Sequence, residues 1–344
     1  MTPKTFTTLA FAAVGSLVVA ALVHTRADSW STGTPEGAKL IPSLQRDMVK
    51  IATITMKQGT QSLTLERKGD QWTLKDRGGY PAQGDRVRAL LLRLSDAVLV
   101  DGKTRNPERY PLLELEDVGA KDAKSRQLVL AEDKGRVISD LIVGKRSVEQ
   151  FGAGKGGTYI RRPGEKETWL VSTEIDVNPA PNQWVDTTIF EAEIAKVKRV
   201  EVDLGTEKVI VEREAGKPAN KDAYTLAGMP EGKKLKSDYT LEDLVNAFAR
   251  VELDDVRKPV TPAAGAAAPL TATYEMETGA KIIVRVASEG DQRWATVEAT
   301  GEGDAKAVAD KINQRAAGWQ FRLPSWKYEQ IFKKKADLLD DVKS

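Results

Sequence analysis

From Val49, and again from Val197, the chain passes through the same succession of patterns, and this constrains its fold more than any other feature. The first passage, VKIATITMKQGTQSLTLERKGDQWTL, sets Ile51, Ile54, Leu63 and Leu65 among polar residues. That near-alternation is the signature of half-buried strands, with a turn at Gln58-Gly59. The second, VKRVEVDLGTEKVIVEREAGKPANKDAYTL, has two alternating runs around Gly205. The edges of the third strands correspond as well, Trp72-Thr73-Leu74 with Tyr224-Thr225-Leu226.

A helix is expected next in each passage. Asp85 is a plausible N-cap before Val87, Leu90, Leu91 and Leu94, and Thr240 before Leu241, Leu244, Val245 and Phe248. Both helices run into a strand of the same phase, Ala97-x-Leu99-x-Asp101 and Val251-x-Leu253-x-Asp255. Hairpins then centre on Lys134-Gly135 and on Gly279, followed by TYIRR with TWLVS in the first half and RWATVEAT in the second. This shared order predicts an internal duplication, with Leu91 and Val245 in equivalent buried positions. The halves are expected to meet near NPAPNQWVDTTIF (178–190), where prolines bar regular strand pairing. The stretch KPVTPAAGAAAPL (258–270) interrupts only the second half and reads as a surface loop.

The tail adds further elements. Asp304 caps a helix with Val308 and Ile312 facing inward, and Gly318 ends it. Trp319, Phe321 and Leu323 alternate as a strand until Pro324, and Ser325 starts a last helix carrying Ile331, Phe332, Ala336 and Leu339. The expected fold is α+β: an N-terminal transmembrane helix, then two tandem duplicated units of antiparallel sheet with packed helices. The expected divisions are 1–27 as membrane anchor or signal segment, 28–47 as linker, 48–186 as the first repeat and 187–344 as the second repeat with the C-terminal helix-strand-helix.

The N-terminal assignment rests on Phe6 to Val23, some 18 residues without a charge, flanked by Lys4 and by His24 and Arg26. That length suits one helical crossing of a bilayer. The alternative is a signal peptide cleaved after Ala27, for which Thr25-Arg26-Ala27 is a poor site because it contains Arg26. Either way the remainder is expected outside the cytoplasm, and the anchor reading places the chain in the inner membrane as a single-pass protein with its main domain in the periplasm.

Charge balances, with 52 basic and 50 acidic residues, so nothing calls for a nucleic acid. Cysteine is absent, which removes disulfides, lipoprotein attachment and thiolate chemistry. The single histidine, His24, sits at the end of the apolar run, which rules out histidine-based catalysis or metal binding in the domain. Gly152 to Gly157 (GAGKGG) leads into a strand and has no Lys-Ser/Thr pair, so it reads as a hairpin tip and not as a phosphate cradle. Glu114-Leu115-Glu116-Asp117 and Glu242-Asp243 read as solvated acids, the latter favoured by a helix N-terminus. Lys333-Lys334-Lys335 reads as a basic run offsetting a helix C-terminus. Trp72, Trp169, Trp294 and Trp319 lie in strand-like runs and read as packing. Trp184, beside Asp186 and the prolines, stands apart. With Tyr159 these two residues form the candidate interface or groove; no catalytic, cofactor or metal-binding residue is expected.

The anchor, the strand pair ending in an aromatic-x-Leu, and YPAQGDRVRALLLRLSDAVLVDGKTRNPE come in that order. They are followed by DLIVGKR, TYIRR…ETWLVS, NQWVDTTIFE and the closing GWQFRLPSWKYEQIFKKKADLL. From about residue 48 onward this ordered set resembles the DUF4340 family of uncharacterised bacterial proteins, from which the Ala/Pro insertion at 258–270 departs. Some members resemble auxiliary parts of gliding-motility-type ABC transport systems. The resemblance implies a non-enzymatic envelope accessory protein, with a transport or other envelope complex as its partner. A second expectation, from another class, is a periplasmic glycan- or peptide-binding module using a groove between the halves.

Overall fold

The computed structural model describes residues 36–147, 156–193, 196–214, 216–217, 222–261 and 265–342. The run Phe6–Val23, His24 and most of the glycine string, Gly152 to Lys155, lie outside them. The chain divides into two compact units, Met1–Ser62 with Arg88–Asn178 and Leu63–Val87 with Pro179–Ser344. The class is α+β, with mostly antiparallel sheets and few helices.

The first nine strands are β1 (Ile51–Gln58), β2 (Gln61–Lys68), β3 (Gln71–Leu74), β4 (Tyr80–Pro81), β5 (Leu99–Gly102), β6 (Arg126–Glu132), β7 (Val137–Ser147), β8 (Gly157–Arg161) and β9 (Thr168–Val171). In the first unit the neighbours run β1-β6-β7-β8-β9-β5, all antiparallel. A bulge between Ile51 and Thr53 shifts the register of β1 on β6. The alternation explains the buried face: Ile51, Ile54 and Met56 of β1 meet the layer of Leu128 and Leu130 of β6. Gly144 in β7 is required by close approach, because a Cβ there would overlap the Leu113 carbonyl oxygen. Residues 36–47, expected as linker, are folded into this unit. Leu40, Ile41 and Leu44 are buried, and the Gly37 N–H donates to the Leu99 carbonyl at 2.7 Å. Their three apolar side chains lie among too many polar neighbours to show a period.

The second unit adds β10 (Thr188–Glu191), β11 (Val197–Asp203), β12 (Lys208–Arg213), β13 (Tyr224–Leu226), β14 (Lys233–Leu235), β15 (Arg250–Glu252), β16 (Asp255–Arg257), β17 (Leu270–Met276), β18 (Lys281–Glu289), β19 (Gln292–Thr300), β20 (Gln320–Arg322) and β21 (Leu339–Asp341). Eight of these form one sheet in the order β13-β12-β11-β17-β18-β19-β20-β16. A bulge between Val197 and Arg199 shifts β11 on β17. Two small pairs stand apart, β10 with β15 and β14 with β21. The segment 63–87, in which β3 pairs with β2 and β4, also belongs here. It is held by the Arg77 guanidinium on Asp255 (2.6 and 3.1 Å), by Tyr80 edge-on to Trp319 at 4.9 Å, and by the Gln83 N–H to the Trp184 carbonyl at 2.7 Å.

Helices form at Gly84–Asp96, Thr240–Asn246 and Asp304–Ala316. Leu91 and Val245 are both buried. The caps differ from expectation: Asp85, Thr240 and Asp304 lie inside the first turn, Asp85 as the second residue of its helix and the other two as the first. Thr240 Oγ1 instead accepts from the Ser237 N–H at 2.9 Å. Helix 304–316 packs on β19 through Ala305, Ala309, Ile312 and Ala316, and Asn313 bonds both the N–H and the carbonyl of Ala299. Val308, expected inward, is 39% exposed, because the small alanines bring another face of the helix onto the sheet. The last helix also differs: it stops at Ile331, a short turn covers Lys335–Leu338, and Leu339 enters β21. Pairing of β21 with β14 ends the helical period there. Lys333 to Lys335 therefore follow the long helix and do not close it. Lys335 Nζ bonds the Ala227 and Gly228 carbonyls, each at 3.3 Å.

Candidate docking groove

A groove of about 620 Å³ lies in the second unit. One wall is β10 and the two residues after it, and every residue from Thr188 to Glu193 contributes. Side chains of a strand alternate between two faces. Consecutive residues can all line one groove only when the strand presents its edge. Among the described residues that edge is open, since β10 has β15 as its one strand neighbour there. The opposite wall is helix 304–316, through Ala307, Val308, Lys311, Ile312 and Arg315. Apart from Ile312, which is buried at the border of the packed face, this is the stripe left outward when the alanine face packs on β19. Met276 and Ile282 supply further apolar lining.

Charge gathers at the rim. Arg315 clamps Asp186 twice, donating to its Oδ2 and to its carbonyl oxygen, each at 2.6 Å. The Asp186 Oδ1 accepts from the Thr188 N–H at 3.1 Å. The hydrogen bond from Arg315 holds the Asp186 carboxyl below the usual aspartate range, against the opposing effect of burial. The pair also borders a smaller cavity of about 240 Å³ lined by Tyr80, Gln83 and Trp319. Burial raises the Tyr80 phenol above its ordinary value, and Arg315 partly offsets this. At the other end Lys196 pairs with Glu193 at 2.5 Å.

The family described as "Domain of unknown function (DUF4340)" matches residues 72–272, more than half of the chain. The chain belongs to the DUF4340 family. No curated protein and no solved structure matches it. The family description names no activity, so the chemistry of this DUF4340 chain has to be read from its own residues.

Of the residues singled out from the sequence, Asp186 lies on the groove. Trp184 is buried, 2% exposed, with the Arg86 guanidinium 5.6 Å from its ring, so it offers no open face for stacking a sugar. Trp169 and Trp294 are buried as well. Tyr159 belongs to the first unit, half-buried against the cluster of Tyr110, Leu115 and Ile142, with its hydroxyl 3.5 Å from Ser147 Oγ. Glu114 closes a short helix in the left-handed conformation, and Glu116 accepts from the Lys124 N–H. Glu242 and Asp243 sit in the first turn of their helix. Among the described residues no group of three or more His, Cys, Asp or Glu side chains could hold a metal ion.

The first unit has a cavity of about 350 Å³ lined by Lys103, Arg105, Asn106, Arg109 and Glu167. Its positive charge is partly answered from within. Lys103 pairs with Asp101, and Arg105 lies 3.8 Å from Glu167.

The groove went unforeseen because its two walls, 188–193 and 304–316, lie more than a hundred residues apart. One signal was available. In the 304–316 helix the alanines at 305, 309 and 316 outnumber the large apolar residues, which marks a face for close sheet packing and leaves Val308 elsewhere.

Proposed function

We propose that this chain is a non-enzymatic, membrane-anchored accessory protein of the bacterial envelope that docks a transport or other envelope complex. The observation that carries the reading is the groove of about 620 Å³: an apolar-lined concavity, rimmed by ion pairs, with an open strand edge as one wall. Apolar concavities with polar rims are the common form of a docking surface. The uncharged run Phe6–Val23 supports tethering. Among the described residues no helix is long and apolar enough to cross a membrane, and that run lies outside them.

We also infer that the chain arose by duplication. The strand order β1-β6-β7-β8-β9-β5 has its counterpart, strand for strand, in β11-β17-β18-β19-β20-β16. Each opening strand carries a bulge at the same point, after Ile51 and after Val197. The helix 304–316 then reads as an insertion between β19 and β20, where the first unit has a short turn between β8 and β9. By this account β20 corresponds to β9 and is part of the second repeat.

The test of docking is a native purification of tagged full-length protein from membranes in mild detergent. Co-purification of a stoichiometric set of envelope proteins is expected. Recovery of this chain alone would count against the reading.

A further inference from the structure

We infer that the groove takes an extended peptide, which adds as a strand to the open edge of β10. This rests on the docking reading and names the form and chemistry of the partner segment.

The backbone geometry comes first. The Ala192 N–H donates to the Ala249 carbonyl at 2.8 Å, and the Leu253 N–H donates to the Thr187 carbonyl at 2.9 Å. In an antiparallel pair, residues alternate between those that bond the neighbour and those whose N–H and C=O point the other way. Glu191, opposite Arg250 and one residue before Ala192, therefore turns both backbone groups toward the groove. The bulge at Ile189 and the Asp186 bond to the Thr188 N–H close the edge at its start. At its far end the Glu193 carbonyl accepts from the Lys196 N–H at 2.9 Å, so the stretch that remains open is Ile189 to Ala192 and is centred on Glu191.

The side chains then specify the occupant. A strand laid on this edge points alternate residues at the apolar lining of Val308, Ile312, Met276 and Ile282, which suits aliphatic residues at every second position. A helix seated there would leave the backbone groups of Glu191 unmet. Of the three basic residues in the groove, Arg315 is held by Asp186 and Lys196 by Glu193. Lys311 has no carboxylate within ion-pair distance among the described residues, so an acid is called for on the helix side of the peptide. The partner segment is thus extended, alternately aliphatic, and carries one acidic residue.

The probe is a fluorescein-labelled peptide of roughly seven residues, about the length of a typical strand, alternating valine and threonine around one aspartate. Two further versions are N-methylated, one at the odd and one at the even amides. Anisotropy titration against full-length protein in detergent is expected to give saturable binding of the parent. Binding is expected to survive one methylation pattern and be lost with the other, since only one set of amides faces β10. Val308→Asp and Lys311→Glu, both on the exposed helix face, are expected to weaken binding by about tenfold or more. Lys306→Glu, off the groove, is expected to leave binding unchanged. Circular dichroism and thermal midpoints of all three variants serve as the folding control.

Equal binding of both methylated peptides, or no saturable binding of the parent, overturns strand addition. The two readings fail separately. If Val308→Asp still co-purifies with the envelope partners, docking stands and this site falls. If the parent peptide binds as described but native purification yields the chain alone, the site stands and docking in the envelope falls.

Discussion

Two ion pairs of the second unit differ in how much water they see, and this sets what each contributes. Arg77 and Asp255 are joined by two hydrogen bonds, with side-chain exposures of 25% and 11%. Removing one partner leaves a mostly buried charge without its counter-ion, so Arg77→Ala is expected to cost about 3 kcal/mol in urea unfolding. A value near zero would mean that water replaces the guanidinium. Asp186 and Arg315 are more exposed, and Asp186→Asn is expected to cost under about 1 kcal/mol at neutral pH. The sign with pH follows from the depressed pKa. The pair stabilises above the ordinary aspartate value of 3.8, and its contribution is lost as pH falls through the lower folded value. The difference between wild type and Asp186→Asn should therefore shrink in acid unfolding series below pH 3.8, and a constant difference would contradict the assignment. Asp186 drew notice in the sequence because it stands beside Trp184 and two prolines. Its partner Arg315, 129 residues away, had no such mark.

At the scale of elements, local pattern carried most of the strands and helices. Alternation located β1, β2, β11 and β12, and the spacing of Leu90, Leu91 and Leu94 located their helix, because both periods are properties of a single element facing one core. What local pattern missed depends on a neighbour. The C-terminal segment leaves helical geometry where β21 pairs with β14, and Val308 turns outward because alanines let the other face approach β19. Gly144 is a similar case: nothing in DLIVGKR marks it as special, yet the Leu113 carbonyl oxygen occupies the space of a Cβ. Backbone cannot give way as a flexible side chain can, so Gly144→Ala is expected to destabilise by about 2–3 kcal/mol. Denaturant unfolding measures this, with Gly119→Ala, at a turn position with open space and no left-handed φ, as the comparison. If Gly144→Ala cost no more than Gly119→Ala, the close approach would not be limiting.

For the whole molecule, the proposed duplication predicts matched sensitivities. Leu91→Asp and Val245→Asp each place an unpaired charge at a buried position and are expected to cost several kcal/mol. Limited proteolysis of the two variants should release different stable fragments if each half depends on its own helix; identical patterns would argue against independent repeats. The tether is tested by alkaline carbonate extraction. Retention in the membrane fraction with Phe6–Val23 intact is expected, and a mature N-terminus at Asp28 would show a cleaved signal instead. The strand order has a further consequence for how such a chain is made, N-terminus first. β5 ends at Gly102 but its neighbour β9 begins at Thr168, and β16 ends at Arg257 while β20 begins at Gln320. In each half a strand emerges early and waits for a partner delivered much later, during which its edge is open to any other chain. On the proposed envelope location, the receiving compartment would have to shield nascent edges twice per molecule, and chains stalled between Arg257 and Gln320 should be prone to cross-pair.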